Sequence, residues 1–249
     1  MITVEICLSG IESSVAAQVG GAHRIELCEN LVEGGMTPSY GIIAQVRQQL
    51  DIDIHVLIRP RPGDFDYTDL EFAAMKQNVE MCKTLGVEGV VIGILNRDGD
   101  VDEERVGELV ALARPMRVTF HRAFDVARDP FAALGTLKSL GIERVLTSGQ
   151  APSGWEGRSL LRQLQQQAGD DIIIMACGDI DAENAQRIIA ETDVREIHIG
   201  PASTEPVKSK MVYRNPAVYM GDTDEVDEYV IQQVSARRVR AIVDAASDL

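Results

Sequence analysis

Ile54-His55-Val56-Leu57-Ile58-Arg59, then Thr68-Asp69-Leu70-Glu71-Phe72, then Leu85-Gly86 and Gly89-Val90-Val91-Ile92-Gly93-Ile94-Leu95 is the stretch that decides the fold. Its two outer runs are short and rich in β-branched residues, the composition of strands. Between them, Thr68 and Glu71 have the spacing of a capping box, in which the two side chains satisfy the first free N–H groups of a helix. Phe72 and Met75 follow on one helical face, and Gly86 after a leucine suits the left-handed residue that ends a helix. The stretch is one strand–helix–strand unit, and strands joined in this way lie parallel.

Working outward, the same rhythm repeats. The strand candidates are Ile2–Ser9, Arg24–Cys28, Ile54–Arg59, Gly89–Leu95, Arg117–Phe124, Arg144–Ser148, Asp171–Cys177 and Glu196–Ile199. Thr37-Pro38 and Asp129-Pro130 each combine a capping side chain with a proline at the first helical position. Asp181 precedes a helix carrying Ile188 and Ile189, and Gly141 closes another after Leu140. Eight successive units predict an α/β fold of the (β/α)8 TIM-barrel type, eight parallel strands with outer helices. The 249 residues fit one such domain spanning 1–249. The rival, an open doubly wound sheet, carries a glycine-rich first turn; here Ser9-Gly10-Ile11-Glu12-Ser13 follows strand one, so no nucleotide cofactor is expected. Residues 200–223 break the rhythm and read as a long loop after strand eight, with residues 224–246 as a last helix. That loop contains Met211-Val212-Tyr213-Arg214-Asn215, which could fold over a barrel mouth or remain a surface excursion.

Composition narrows the function. With 45% hydrophobic residues but only 4% aromatics, the core must be built from Val, Ile, Leu and Ala. A net charge of −15 repels phosphate backbones and anionic lipid, so neither nucleic acid nor membrane is an expected partner. No apolar run approaches the ~20 residues that span a bilayer. The N-terminus lacks a basic region and places a charge at Glu5, unlike a signal peptide. Cys7, Cys28, Cys82 and Cys177 form no C-x-x-C pair and read as reduced thiols, so a cytoplasmic location is expected.

In a barrel, polar inward residues near the strand C-termini form the site. Val4-Glu5-Ile6-Cys7 and Ile25-Glu26-Leu27-Cys28 share one pattern, and by parity each Glu and Cys pair points to the same face. Adjacent strands lie ~4.8 Å apart, so the two thiols can meet at the mouth as soft ligands for Cu(I), or simply pack as small hydrophobes. Two inward carboxylates repel unless a cation, a shared proton or an arginine lies between them. Arg59 and Arg61, in Ile58-Arg59-Pro60-Arg61-Pro62-Gly63-Asp64, could hold an anionic ligand or neutralise those carboxylates. His121, in Thr119-Phe120-His121-Arg122-Ala123-Phe124-Asp125, stands where barrels keep acid/base groups, with Arg122 beside it as a ligand-binding candidate. Ser148 and His198 complete the set of ligand-binding candidates with Glu5, while His55 begins strand three at the far end and reads as structural or surface. Cys82 lies within a helix and reads as packing. No Walker loop, H-E-x-x-H motif or Ser-His-Asp signature appears.

Several segments, in order, resemble those of the CutC family: Ile25-Glu26-Leu27-Cys28, Glu33-Gly34-Gly35-Met36-Thr37-Pro38-Ser39, Ile58-Arg59-Pro60-Arg61, Thr119-Phe120-His121-Arg122-Ala123-Phe124-Asp125, Arg144-Val145-Leu146-Thr147-Ser148-Gly149 and Tyr213-Arg214-Asn215. The resemblance implies a cytoplasmic barrel, self-associated as a dimer or tetramer, named for copper homeostasis, with Cys7 and Cys28 as Cu(I)-binding thiols. Met175-Ala176-Cys177-Gly178-Asp179 departs from the glycine-rich turn usual in the family, and Cys177 there could be a third thiol at the mouth. His198-Ile199-Gly200-Pro201-Ala202-Ser203 departs likewise from its small-residue turn. The residues themselves also suit a barrel enzyme acting on a small anionic metabolite, with Arg59 and Arg61 holding the anion, His121 as acid/base and Glu26 orienting or sharing a proton. A barrel that only binds partners through its helical shell is the third alternative.

Overall fold

A computed structural model describes residues 2–215, 217–218 and 227–247 of the chain. The parallel strands β1 (Thr3–Leu8), β2 (Arg24–Leu27), β3 (Asp53–Leu57), β4 (Gly89–Ile92), β5 (Arg117–Phe120), β6 (Arg144–Thr147), β7 (Ile173–Ala176) and β8 (Glu196–Ile199) close into an eight-stranded barrel in chain order. Closure is made by β1, which pairs with both β2 and β8. Helices α1 (Ile11–Gly20), α2 (Tyr40–Gln49), α3 (Asp69–Leu85), α4 (Glu103–Ala113), α5 (Pro130–Ser139), α6 (Arg158–Ala168) and α7 (Ala185–Thr192) connect successive strands. The expected TIM barrel is the fold of this chain.

The local signals act as the sequence predicts in most places. Thr68 Oγ accepts from the Glu71 N–H, and the Glu71 carboxylate accepts from the Thr68 N–H, forming the capping box of α3. Asp129 caps α5, and Gly86 and Gly141 end α3 and α5 in the left-handed region, which a Cβ disfavours. Thr37 is an exception. Ser39 caps α2 instead, while Thr37 exchanges hydrogen bonds with the Arg59 backbone and pins the exit of β3.

The segment after β8 differs from expectation. Within the expected loop, β9 (Thr204–Lys208) pairs antiparallel with β10 (Val230–Val234), and the last helix, α8 (Ala236–Ser247), begins only at Ala236. The expected helix start at Asp224 lies outside the described residues. Pro206 hides β9 from sequence reasoning, because proline argues against an interior strand yet is tolerated in a two-stranded ribbon such as this. Val230 and Val234 are four apart, a spacing that equally suits a helical face leading into Val239.

Strand parity divides the molecule into two cores. Val4, Ile6, Leu8, Ile25 and Leu27 belong to the apolar layer between sheet and helices. Alternate residues point into the barrel, which is ordinarily filled with branched apolar side chains. Here its floor is charged. Arg24 bridges the carboxylates of Glu5 and Glu196, and Arg144 donates to Glu196 at 3.0 and 3.2 Å. All four are buried, with Glu196 the most exposed at 7%. His55 is fully buried beside them, near Thr119, so it is an interior residue rather than a surface one; burial and the Arg24 charge hold its pKa well below the usual value.

Removing one partner of such a network leaves a buried charge uncompensated. Glu196→Ala strands Arg24 and Arg144 together and is expected to cost about 3–5 kcal/mol, read as a lowered urea midpoint with unchanged slope. A variant as stable as the parent would show that solvent reaches this floor.

Candidate functional site

The site is built upward from Glu5. Its direct neighbours in strand register are Arg24 on β2 and His198 on β8. One carboxylate oxygen accepts from Arg24 Nε, and the other lies 2.7 Å from His198 Nδ1. The imidazole is thereby fixed, with Nε2 3.8 Å from Glu26 Oε2. Glu26 is in turn the register partner of Cys7. Cys7 Sγ lies 3.8 Å from Cys28 Sγ, and the Cys28 thiol lies 3.5 Å from Glu26 Oε2. Donor atoms of Cys7, Glu26 and His198 all fall within 4.8 Å of one another.

A cavity of about 310 Å³ opens above them, with Cys7, Glu26 and His198 on one wall and Arg59, Phe65, His121 and Arg122 on the other. Strand-end geometry dictates the second wall. Gly93 lets the His121 ring approach β4, since a Cβ there would lie 2.2 Å from Cε1. Asp125 anchors the turn after β6, accepting from Thr147, the Ser148 backbone and hydroxyl, the Gln150 N–H and Arg122.

The charges on the two walls differ in kind. Burial would raise Glu5, but Arg24 and the His198 hydrogen bond outweigh it and hold the carboxyl well below its usual range. The hydrogen bond from Cys28 is the main cause that lowers Cys7, helped by His198, while burial and the neighbouring Cys7 push Cys28 up. Glu26 is raised by burial and by the Cys7 charge. Burial works against the His198 cation, yet its bonds to Cys7 and Glu5 raise it well above the usual value. The wall thus favours charge on Cys7 and His198 and protons on Glu26 and Cys28.

His121 is the opposite case. Burial, with the Arg59 charge, pushes its pKa down to about 3. Its Nδ1 accepts from the Ala123 N–H at 3.0 Å, so the neutral ring carries its proton on Nε2, which is buried without a partner among the described residues. That is the state of a hydrogen-bond donor.

Other expected residues are distributed unevenly. Arg59 lines the cavity but spends its terminal donors on the Glu33, Gly35 and Gly63 carbonyls and does not pair with Glu26. Arg61 turns outward to Glu71 and Asp64 and does not line the cavity, because the Asp64–Glu71 carboxylates lie on its side of the loop. Arg122 is half-exposed at the rim and reaches Ser148, whose hydroxyl is held by Asp125 and the Ala151 carbonyl. Glu5 sits behind His198 rather than in the cavity wall. Cys177 packs against Leu146 and Met175 inside the barrel, and Cys82 is buried in the outer core. Sequence reasoning missed Arg24, Arg144 and Glu196, although the parity that singled out Glu26 also puts Arg24, two residues earlier, on the same face, and the same rule relates Glu196 to His198.

The folded protein keeps His121 neutral down to about 3, whereas the unfolded chain protonates it near its ordinary value of about 6.5. Its neutral form therefore gives full stability above about 6.5, and stability falls as pH drops from there to about 3. His121→Gln is expected to remove up to about 1.4 kcal/mol per pH unit of that slope, measured by denaturant unfolding across the window; identical slopes in both proteins would refute the neutral assignment.

Comparison with known proteins agrees with this architecture. The sequence profile of the CutC family matches residues 2–203. A protein of Chromobacterium violaceum named as a family protein CutC is 48% identical over 242 residues, covering 97% of this chain and 97% of its own length. Mouse and human proteins named copper homeostasis protein cutC homolog are 45% and 44% identical, covering 99% of this chain and 90% and 89% of theirs. The solved CutC structure from Streptococcus agalactiae has a TM-score of 0.77 at 34% identity, covering 80% of this chain and 98% of that one. Thiamine phosphate pyrophosphorylase from Pyrococcus furiosus, with a TM-score of 0.60 at 14% identity, shares the fold alone.

Proposed function

The chain belongs to the CutC family, and from that premise we propose that it binds Cu(I) at Cys7 and Cys28 in the service of copper homeostasis. The observation that carries this is the thiol pair at 3.8 Å, one member bordering the cavity. Soft sulfur donors select Cu(I) over harder ions, and a thiolate is the binding form. The hydrogen bond from Cys28 favours that form of Cys7, and Cys28 would give up its proton on binding. The names of the mouse and human relatives point the same way. The protein acts in the cytoplasm, where its thiols stay reduced, and assembles as a dimer or tetramer. No helix among the described residues is long and apolar enough to cross a membrane. Titration with Cu(I) against a competing chelator, under anaerobic reducing conditions, tests the site. The Cys7→Ser, Cys28→Ser double variant is expected to lose affinity by more than the 10–100-fold, roughly, that loss of a supporting partner costs; unchanged affinity would end the proposal.

A second reading is an enzyme acting on a small anionic metabolite, with the cavity as its binding place. It is favoured by the partnerless His121 Nε2 at the wall and the half-exposed Arg122 guanidinium at the rim. His121 would donate to a substrate oxygen, a neutral imidazole being a suitable polarising group. Arg59 would add positive charge without direct bonds. A thermal-shift screen of small carboxylates and phosphate esters is expected to find a stabilising compound whose effect His121→Phe removes. A panel that leaves the melting temperature untouched, or a shift that survives in the variant, counts against this use of the cavity.

A further inference from the structure

The wall that carries Cys7 offers a second donor set, distinct from the thiol pair. We infer that Cys7 Sγ, Glu26 carboxylate and His198 Nε2 form a site for a divalent cation of the Zn²⁺ type, with one open coordination position facing the cavity. The inference does not depend on the copper reading, although both use Cys7 and one ion would exclude the other.

Four observations carry it. The donors are a sulfur, an oxygen and a nitrogen from β1, β2 and β8, mutually within 4.8 Å. A tetrahedral centre with bonds of about 2.0–2.3 Å holds its ligand atoms about 3.3–3.8 Å apart. The 3.8 Å between His198 Nε2 and Glu26 Oε2 already meets that spacing. The remaining separations need close by less than about 1 Å to reach the same geometry.

Next, His198 has the outer support that metal-bound histidines show. Its Nδ1 is held by the Glu5 carboxylate at 2.7 Å, which directs Nε2 at the other two donors. Such a carboxylate partner fixes the tautomer and orientation of a ligating imidazole. Glu5 is itself anchored by Arg24, so the charged floor of the barrel forms a rigid outer shell. Cys28 lies outside the three donors, its sulfur 3.5 Å from Glu26 Oε2.

The charge also balances. Once the cation has displaced the protons of Glu26 and His198, a thiolate, a carboxylate and a neutral imidazole together neutralise its two charges, whereas a monovalent soft ion gains little from the carboxylate. Finally, three protein ligands and an open fourth position are the arrangement of catalytic rather than closed structural zinc sites. The open side here borders a cavity of about 310 Å³ whose far wall presents the unpaired His121 Nε2. The ligand class is therefore a small molecule with a carbonyl, carboxylate or hydroxyl oxygen, bound to the cation and steadied by His121.

Co²⁺ is the probe, because it reports both thiolate ligation, by a near-ultraviolet charge-transfer band, and tetrahedral geometry, by visible absorption. The full-length protein and its Cys28→Ser variant are both expected to show these bands, with Zn²⁺ displacing Co²⁺. Cys7→Ser should lose the charge-transfer band. His198→Gln should weaken binding by more than about 100-fold, and Glu5→Gln, which keeps all three ligands, by about 10–100-fold. Circular dichroism of each variant separates lost binding from lost fold. X-ray absorption of the Zn²⁺-loaded parent supplies a readout free of mutation: one sulfur neighbour supports the assignment, and two sulfurs overturn it. Absent bands in the folded parent, or bands that vanish in Cys28→Ser, overturn it equally. The copper proposal fails on a different result, Cu(I) affinity that is indifferent to Cys28, so the two are judged separately.

Discussion

A single carboxylate organises the interior. Glu5 is buried at 1% exposure and accepts from Arg24 on one side and His198 on the other. A carboxylate taken out of water survives as an anion only when its lone pairs are satisfied and a cation stands near. Both conditions are met because closure of the barrel brings β8 against β1 and gives Glu5 two polar neighbours in register. From that bond follow the orientation of His198 and the placement of its Nε2 near Glu26.

The interior is therefore layered by electrostatics. The floor joins Glu5, Arg24, Glu196 and Arg144 into an alternating chain of charges. Replacing such a network with apolar residues is often neutral or stabilising in other proteins, so its presence is poorly explained by stability alone. A rigid base that holds a histidine and a carboxylate in one geometry is what a ligand site requires. The layer above carries Cys7, Glu26 and His198, and the cavity lies over them.

The two walls of the cavity complement each other. One gathers a sulfur, a carboxyl group and an imidazole, and the other presents a neutral imidazole with its proton directed by the Ala123 N–H. Arginines that appeared available in sequence are largely committed to the scaffold. Arg59 ties three loop carbonyls together, and Arg61 stacks on Tyr67 while pairing with Glu71. Their charges shape the potential at the mouth, but their hydrogen bonds hold the loop after β3.

Local chemistry determined much of this protein. The Thr68–Glu71 cap, the Asp129-Pro130 start and the terminal glycines are interactions among near neighbours, and repetition of strand and helix makes a barrel legible. Parity alone assigns Glu5, Cys7, Glu26 and Cys28 to the interior, since alternate strand residues face opposite sides. The ribbon of β9 and β10 was hidden because Pro206 speaks against a strand and the spacing of Val230 and Val234 fits a helix as well. What tertiary structure decided is which inward groups meet. Glu5 and His198 are 193 residues apart, and no local rule relates them. Their contact exists because eight strands close with one particular register, and that register turns separate polar residues into one coupled site.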